Sequence, residues 1–160
     1  MEKYFPYGVV EPGGIPDIAD AVLDEFMEIA KQVKVKPYLV YGLCLGFVRD
    51  GKYIAGDNDL DVAVILDNPA KRVELISLLK EHKFNVGDTY TNTGGENTHF
   101  YRDRILLDVF WRRFGEFYSG NDEVMYKGKV YPVPHPVSEY LSKCYTDWHT
   151  PCDEMTRYYG

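Results

Sequence analysis

The chain has 160 residues, 45% hydrophobic and 27% charged, a composition that suits one folded domain with a single core and excludes a disordered chain. A formal net charge of -7 argues against non-specific binding to long nucleic acid, although a small phosphorylated substrate could still be held by a local arginine and a metal ion. No run of about 18 apolar residues occurs, the start lacks a basic and then apolar stretch, and Cys44, Cys144 and Cys152 show neither zinc nor disulfide-framework spacing, so a cytoplasmic protein without membrane insertion is expected.

Residues 1–15 are rich in Gly and Pro and read as a loose N-terminal segment of one domain spanning 1–160. From Pro16 to Lys34, Ile18, Val22, Phe26, Ile29 and Val33 recur at three- and four-residue steps, which predicts an amphipathic helix. Tyr38-Leu39-Val40-Tyr41 then reads as a short strand stopped by Gly42, and Leu43 to Asp50 as a short helix ended by Gly51.

The next strand, about Asp59 to Leu66, carries the most informative pattern in the chain. Residues i and i+2 of a strand share a face, so Leu60, Val62 and Val64 pack on one side while Asp59 and Asp61 project together from the other. Two like charges that close repel unless a cation lies between them. Hard oxygen ligands on rigid backbone point to Mg²⁺ or Mn²⁺, the ions of phosphate chemistry.

Asn68-Pro69 opens a helix that ends near His82, with Val73, Ile76 and Leu79 facing inward and Leu75 a further candidate. Asn85 to Tyr90, Thr98 to Arg102 and Ile105 to Trp111 read as strands, the last two joined by a tight turn at Asp103-Arg104. A second hairpin turns at Lys127-Gly128, with Val124 to Tyr126 and Lys129 to Val133 as its arms, and Pro136 opens a closing helix to about Tyr145. The order predicts an α/β (α+β) domain with helices on one side of a mixed sheet.

A phosphoryl-transfer site usually needs a third carboxylate, and Asp108 is the acid that interrupts the apolar run from Ile105 to Trp111. Buried without a partner it would cost several kcal/mol, so a cation is expected beside it. Arg102, Arg104 and Arg112 are the competing structural partners. His99 and Tyr101 could line a cleft, Phe110 and Trp111 could stack on a base or a choline group, and Cys44 reads as core packing because nothing is spaced to activate it.

The series Tyr41-Gly42-Leu43-Cys44-Leu45-Gly46-Phe47-Val48-Arg49, then Ile54, then Asp57-Asn58-Asp59-Leu60-Asp61, resembles the LicD family of the nucleotidyltransferase superfamily. So does the tail, with Val130-Tyr131-Pro132-Val133-Pro134, Glu139-Tyr140-Leu141, Tyr145, Asp147-Trp148 and Thr150-Pro151. The resemblance implies a nucleotidyltransferase-like mixed sheet flanked by helices, and a Mg²⁺- or Mn²⁺-dependent enzyme that moves a phospho-alcohol group such as phosphocholine from a CDP-activated donor to a hydroxyl acceptor, glycans among the candidates. It makes Asp59, Asp61 and Asp108 the metal ligands and catalytic acids, Asp108 also being a candidate base for the acceptor hydroxyl.

By the same resemblance Gly42, Leu43 and Arg49 would lie at the donor phosphates, the glycine letting backbone approach them. Leu43 stands where the family has a small hydroxyl residue, and Asn58 where it has an acid. The alternatives are transfer of a nucleoside monophosphate from a nucleoside triphosphate to a small molecule, and a non-catalytic nucleotide-binding module.

Overall fold

The structure, a computed structural model, describes residues 16–151 except 55, 56 and 58. The expectations placed on the N-terminal segment, on Asn58 and on Cys152 therefore lie outside the described residues.

Helix α1 (Pro16–Val33) forms where the three- and four-residue spacing predicts it, and Val22, Leu23, Phe26, Ile29, Ala30 and Val33 are buried along one stripe. Ile18, expected inward, stays 39% exposed in the first turn. The helix ends on a left-handed Lys34 (φ 67°), with the Val35 N–H donating to the Ala30 carbonyl and the Lys34 N–H to the Lys31 carbonyl. That is a Schellman closure made without glycine.

Strand β1 (Lys36–Leu39) leads into α2 (Tyr41–Leu45), which continues as a wider helical turn, Gly46–Asp50, and stops at Gly51 (φ 71°). A Cβ on Gly46 would lie 2.6 Å from the Lys52 carbonyl, so the chain can double back here only over glycine. Strand β2 (Asp59–Ile65) and helix α3 (Pro69–Glu81) follow, α3 being capped by the Asn68 side chain, which accepts from the Ala70 N–H at 3.0 Å. Within α3, Leu75 and Leu79 are fully buried and Val73 is 70% exposed. Val73 and Leu75 lie two residues, about 200°, apart around the helix, so only one of them can face the core. The i, i+4 leucine pair wins.

Strands β3 (Asn85–Asn92), β4 (Gly95–Arg102) and β5 (Ile105–Arg112) complete a five-stranded sheet in the order β1-β2-β5-β4-β3. β2 and β5 are parallel and every other pair is antiparallel. The β4–β5 turn has positive φ at Asp103 and Arg104, the type I′ pattern the twist of a hairpin favours. A short helical turn (Glu116–Tyr118), the hairpin β6 (Asp122–Tyr126) and β7 (Lys129–Val133), and helix α4 (Val137–Cys144) close the chain.

Strand register sorts the sheet into two faces. Leu60, Val62 and Val64 of β2 align with Leu107, Val109 and Trp111 of β5, and Phe100 of β4 lies beside Leu107; all are buried. This face packs on α1 and α3, where Arg102 pairs with Glu25 of α1 and donates to the His82 carbonyl at 3.0 Å, and Arg72 of α3 lies over Trp111. The opposite face carries Asp59, Asp61, Asp108 and Phe110, and α2 covers part of it, the Tyr41 ring meeting Phe110 at 4.8 Å. Helices thus flank both faces rather than the one side the element order alone suggested.

Hairpin β6–β7 is fastened to α1 by two aspartates. Asp20 accepts from Tyr53, Tyr126 and Lys127, and Asp24 from Tyr131 and Lys129.

Candidate active site

Asp59 and Asp61 open β2, and their shared face follows from the two-residue alternation of the strand. The parallel pairing with β5 sets Asp61 directly opposite Asp108 and Asp59 opposite Leu106. One oxygen from each of Asp59, Asp61 and Asp108 lies within 4.8 Å of the others. Asp61 and Asp108 are 7% and 8% exposed, and Asp59 is half-buried.

Burial pushes the Asp61 carboxyl well above the usual carboxylate range, and the charges of Asp59, Asp108 and Asp57 push it further. Asp59 is raised too, by burial first and then by Asp108. A cluster that resists ionising on its own is stabilised by a bound cation. The three clustered atoms are all carboxylate oxygens, a donor set that would fit a hard divalent ion such as Mg²⁺ or Mn²⁺.

Among the described residues none of the three arginines weighed against Asp108 forms an ion pair with it. Arg102 is engaged by Glu25, and Arg112 donates to the Trp111 carbonyl at 3.1 Å and reaches the Tyr41 hydroxyl at 3.4 Å. Asn97 and His99, both on β4, meet Asp108 instead. Asn97 Nδ2 donates to Asp108 Oδ1 at 2.8 Å, and His99 Nε2 lies 3.6 Å from Asp108 Oδ2. Burial alone would lower the His99 pKa, but Asp108, Asp59 and Asp88 outweigh it and hold the imidazole above its ordinary value. The Tyr101 hydroxyl is 3.3 Å from His99 Nδ1, and the Tyr90 ring, 46% exposed, meets the imidazole at 4.7 Å.

Gly42 stands against the acids, where a Cβ would lie 2.8 Å from Asp57 Oδ2 and 3.6 Å from Asp61 Oδ2. Its position follows from α2, which starts at the end of β1, where the Val40 N–H donates to the Asp61 carbonyl. Tyr41 takes a left-handed φ of 47° to enter that turn, and its N–H donates to the buried Tyr140 hydroxyl of α4 at 3.0 Å. Helix α4 thus packs behind α2 through Tyr140.

Leu43 sends its side chain into the core, 2% exposed. The Arg49 guanidinium forms a two-pronged pair with Asp50, both contacts at 2.9 Å, and donates to the Trp148 carbonyl. Phe110 faces the acids' side, whereas Trp111 points to the α1–α3 side and donates to Thr98 Oγ1, because adjacent strand residues alternate. The two cannot share one stacking surface. Cys44 is fully buried, which raises its thiol pKa and fits core packing.

Asn97 was missed in the sequence because the strand is expected to begin only at Thr98, and a lone Asn carries no motif. Its signal is indirect: it lies diagonally across from Asp108 once β4 and β5 pair.

No protein-family model matches this chain, and no curated protein matches its sequence. The LicD resemblance therefore rests on the quoted motifs alone. Two solved structures of ANT(2'')-Ia share the fold. The solution structure of this antibiotic-resistance factor has a TM-score of 0.54 and 12% identity, covering 75% of this chain and 66% of that one. The crystal structure in complex with adenylyl-2''-tobramycin has a TM-score of 0.53 and 13% identity, covering 73% and 68%. The match thus spans about two thirds of the length of each of those proteins. The domain is a nucleotidyltransferase-like α+β fold, a five-stranded mixed sheet flanked by helices. Among the described residues no helix is long and apolar enough to cross a membrane.

Proposed function

We propose that this protein is a metal-dependent transferase that moves a nucleotidyl group, or another phosphorus-containing group of a nucleotide donor, onto a hydroxyl of a small acceptor. The observation that carries the reading is the buried convergence of Asp59, Asp61 and Asp108 on one sheet face. Those residues would hold one or two divalent ions, which when bound neutralise charge on the donor phosphate oxygens. Asp108 is the candidate proton acceptor through Oδ2, since Oδ1 already accepts from Asn97. The acceptor oxygen attacks phosphorus as its proton passes to that carboxylate, and the bond from phosphorus to the leaving group breaks. Gly42 would bring backbone rather than a side chain to the donor phosphates beside the acids, with Leu43 following it in the same turn, and Arg49, in the next helical turn, would bind the phosphates by exchanging its pairing with Asp50.

Two chemistries fit this cluster. Transfer of a nucleoside monophosphate from a triphosphate is supported by the shared fold with ANT(2'')-Ia, solved with an adenylyl-tobramycin. Transfer of a phospho-alcohol from a CDP-linked donor is supported by the LicD-like series from Tyr41 to Asp61. Incubation with each nucleoside triphosphate, CDP-choline and CDP-ribitol, with sugar and amino-sugar acceptors, separates them: pyrophosphate marks the first and CMP the second. If neither product forms with Mg²⁺ or Mn²⁺, and nucleotides stabilise the fold equally without metal, the protein is a binding module instead.

A further inference from the structure

Asp108 does more than face two other acids; one of its oxygens is the end of a chain of hydrogen bonds that begins in a surface turn. The β3–β4 turn presents the Gly94 N–H, which donates to Asn92 Oδ1 at 3.1 Å. Asn92 Nδ2 donates to Asn97 Oδ1 at 3.0 Å, and Asn97 Nδ2 donates to Asp108 Oδ1 at 2.8 Å. A carboxamide can be turned over end for end, which would reverse a bond, but this chain has only one direction. A backbone N–H can only donate, so Asn92 accepts through Oδ1 and donates through Nδ2, and Asn97 in turn accepts from Asn92 and donates to Asp108. Both amide orientations are therefore dictated by the Gly94 N–H.

Asn97 is 6% exposed, and Asn92 lies at the solvent-exposed end of its strand. A carboxamide suits the middle position because it accepts and donates at once. A hydroxyl there would be shorter, and an acid would set a further negative charge against Asp108. The bond reaches Asp108 diagonally across the β4–β5 pair, while His99, directly opposite, approaches the other oxygen.

We propose that Asn97, oriented by Asn92, is a positioning residue for Asp108: the one-way relay from the Gly94 amide sets the plane of the third carboxylate before a divalent ion binds. This rests on the metal-site reading above. Partners behind a ligand commonly change metal affinity by about 10–100-fold when removed, because an unheld carboxylate must be ordered during binding.

The test is Mn²⁺ affinity of the full chain, read by electron paramagnetic resonance of the free ion, with circular dichroism as the check on folding. Asn97→Ala is expected to weaken Mn²⁺ binding about 10–100-fold, and Asn92→Ala, at the exposed turn, by a smaller factor of about 3–10. Thr98→Ala is the control. Thr98 is buried on the same strand but faces the other side of the sheet, bonded to Trp111 and Thr89, so its loss lowers the melting temperature and leaves Mn²⁺ affinity unchanged. Wild-type affinity in Asn97→Ala, or in Asn92→Ala if the first variant does not fold, overturns the relay. If the wild type binds Mn²⁺ and Asp108→Asn does not, unchanged affinity in Asn97→Ala removes the relay alone and leaves the metal site standing. If the wild type itself binds no Mn²⁺, the metal reading falls and takes the relay with it.

Discussion

Asp61 is the acid on which the proposed chemistry bears most directly. Its carboxyl is buried, opposite Asp108, and two residues from Asp59. Asp61→Asn keeps the shape and removes an ionisable ligand, so metal-dependent turnover is expected to fall about 10²–10³-fold or more, measured as product formed with saturating Mg²⁺. Normal turnover in that variant would remove Asp61 from the mechanism. The pH dependence has a definite sign. Asp61 and Asp59 have folded pKa values raised above the unfolded ones, so the metal-free native state binds more protons than the unfolded chain. Their effect is to lower stability as pH rises from the unfolded carboxylate range, near 4, through the raised values. The stabilisation given by Mg²⁺ should therefore grow with pH over that window, and Asp61→Asn should flatten the trend. Melting curves with Mg²⁺ and with a chelator from pH 5 to 8 check this, and a Mg²⁺ shift equal at all pH values would contradict it.

At the scale of single elements, turn and cap chemistry explains which boundaries were legible. Asn68-Pro69 announces α3 because an Asn acceptor and a proline at the first position both suit a helix start. Lys127-Gly128 announces its hairpin for a similar reason, a glycine taking positive φ at no cost. The ends of α1 and α3 were placed by periodicity alone, since each closes on a left-handed lysine, Lys34 (φ 67°) and Lys83 (φ 71°), that no propensity favours. In α3 the Phe84 N–H donates to the Leu79 carbonyl and the Lys83 N–H to the Lys80 carbonyl, repeating the closure of α1. Lys34→Gly and Lys83→Gly should each stabilise the domain by about 0.5–1 kcal/mol, the relief of strain exceeding the entropy gained by the unfolded chain. Urea denaturation at neutral pH reads it out, and a loss of stability in both would show that the lysine stems contribute more by packing than the strain costs.

For the whole molecule, stability and site share one structure, the β2–β5 pair. Leu107, fully buried on the α1–α3 face, alternates with Leu106 and Asp108 on the other, so the core that holds the strand also aims the acid. Leu107→Ala should cost about 2–5 kcal/mol, and nucleotide turnover should fall with the folded fraction. If the variant unfolds at wild-type urea concentrations, the core assignment is wrong. The Glu25–Arg102 pair joins α1 to β4, and contact with Arg102 lowers the Glu25 pKa. Its contribution is present above the unfolded value near 4.5 and is lost as pH falls through the lower folded value, opposite in sign to the acid cluster.

The local periods of the chain are set by backbone geometry, and a sequence carries them openly. Two-residue alternation puts Asp59 and Asp61 on one face, three- and four-residue spacing makes α1, and turn residues set the hairpins. The sequence by itself thus determined most elements and picked out the three acids, but the strand read at 38–41 is Lys36–Leu39 with a helix beginning at Tyr41, and β3 and β4 run on past the expected Tyr90 and Thr98 to a turn between Asn92 and Gly95. It did not determine that Asp61 would stand opposite Asp108, that Asn97 would reach it from β4, that Arg102 would be taken by Glu25, or that α2 would cover the acid face. Those depend on which strands pair, in what register, and which face each helix covers. They are contacts between residues distant in the chain, decided by the burial of one shared core rather than by any local preference.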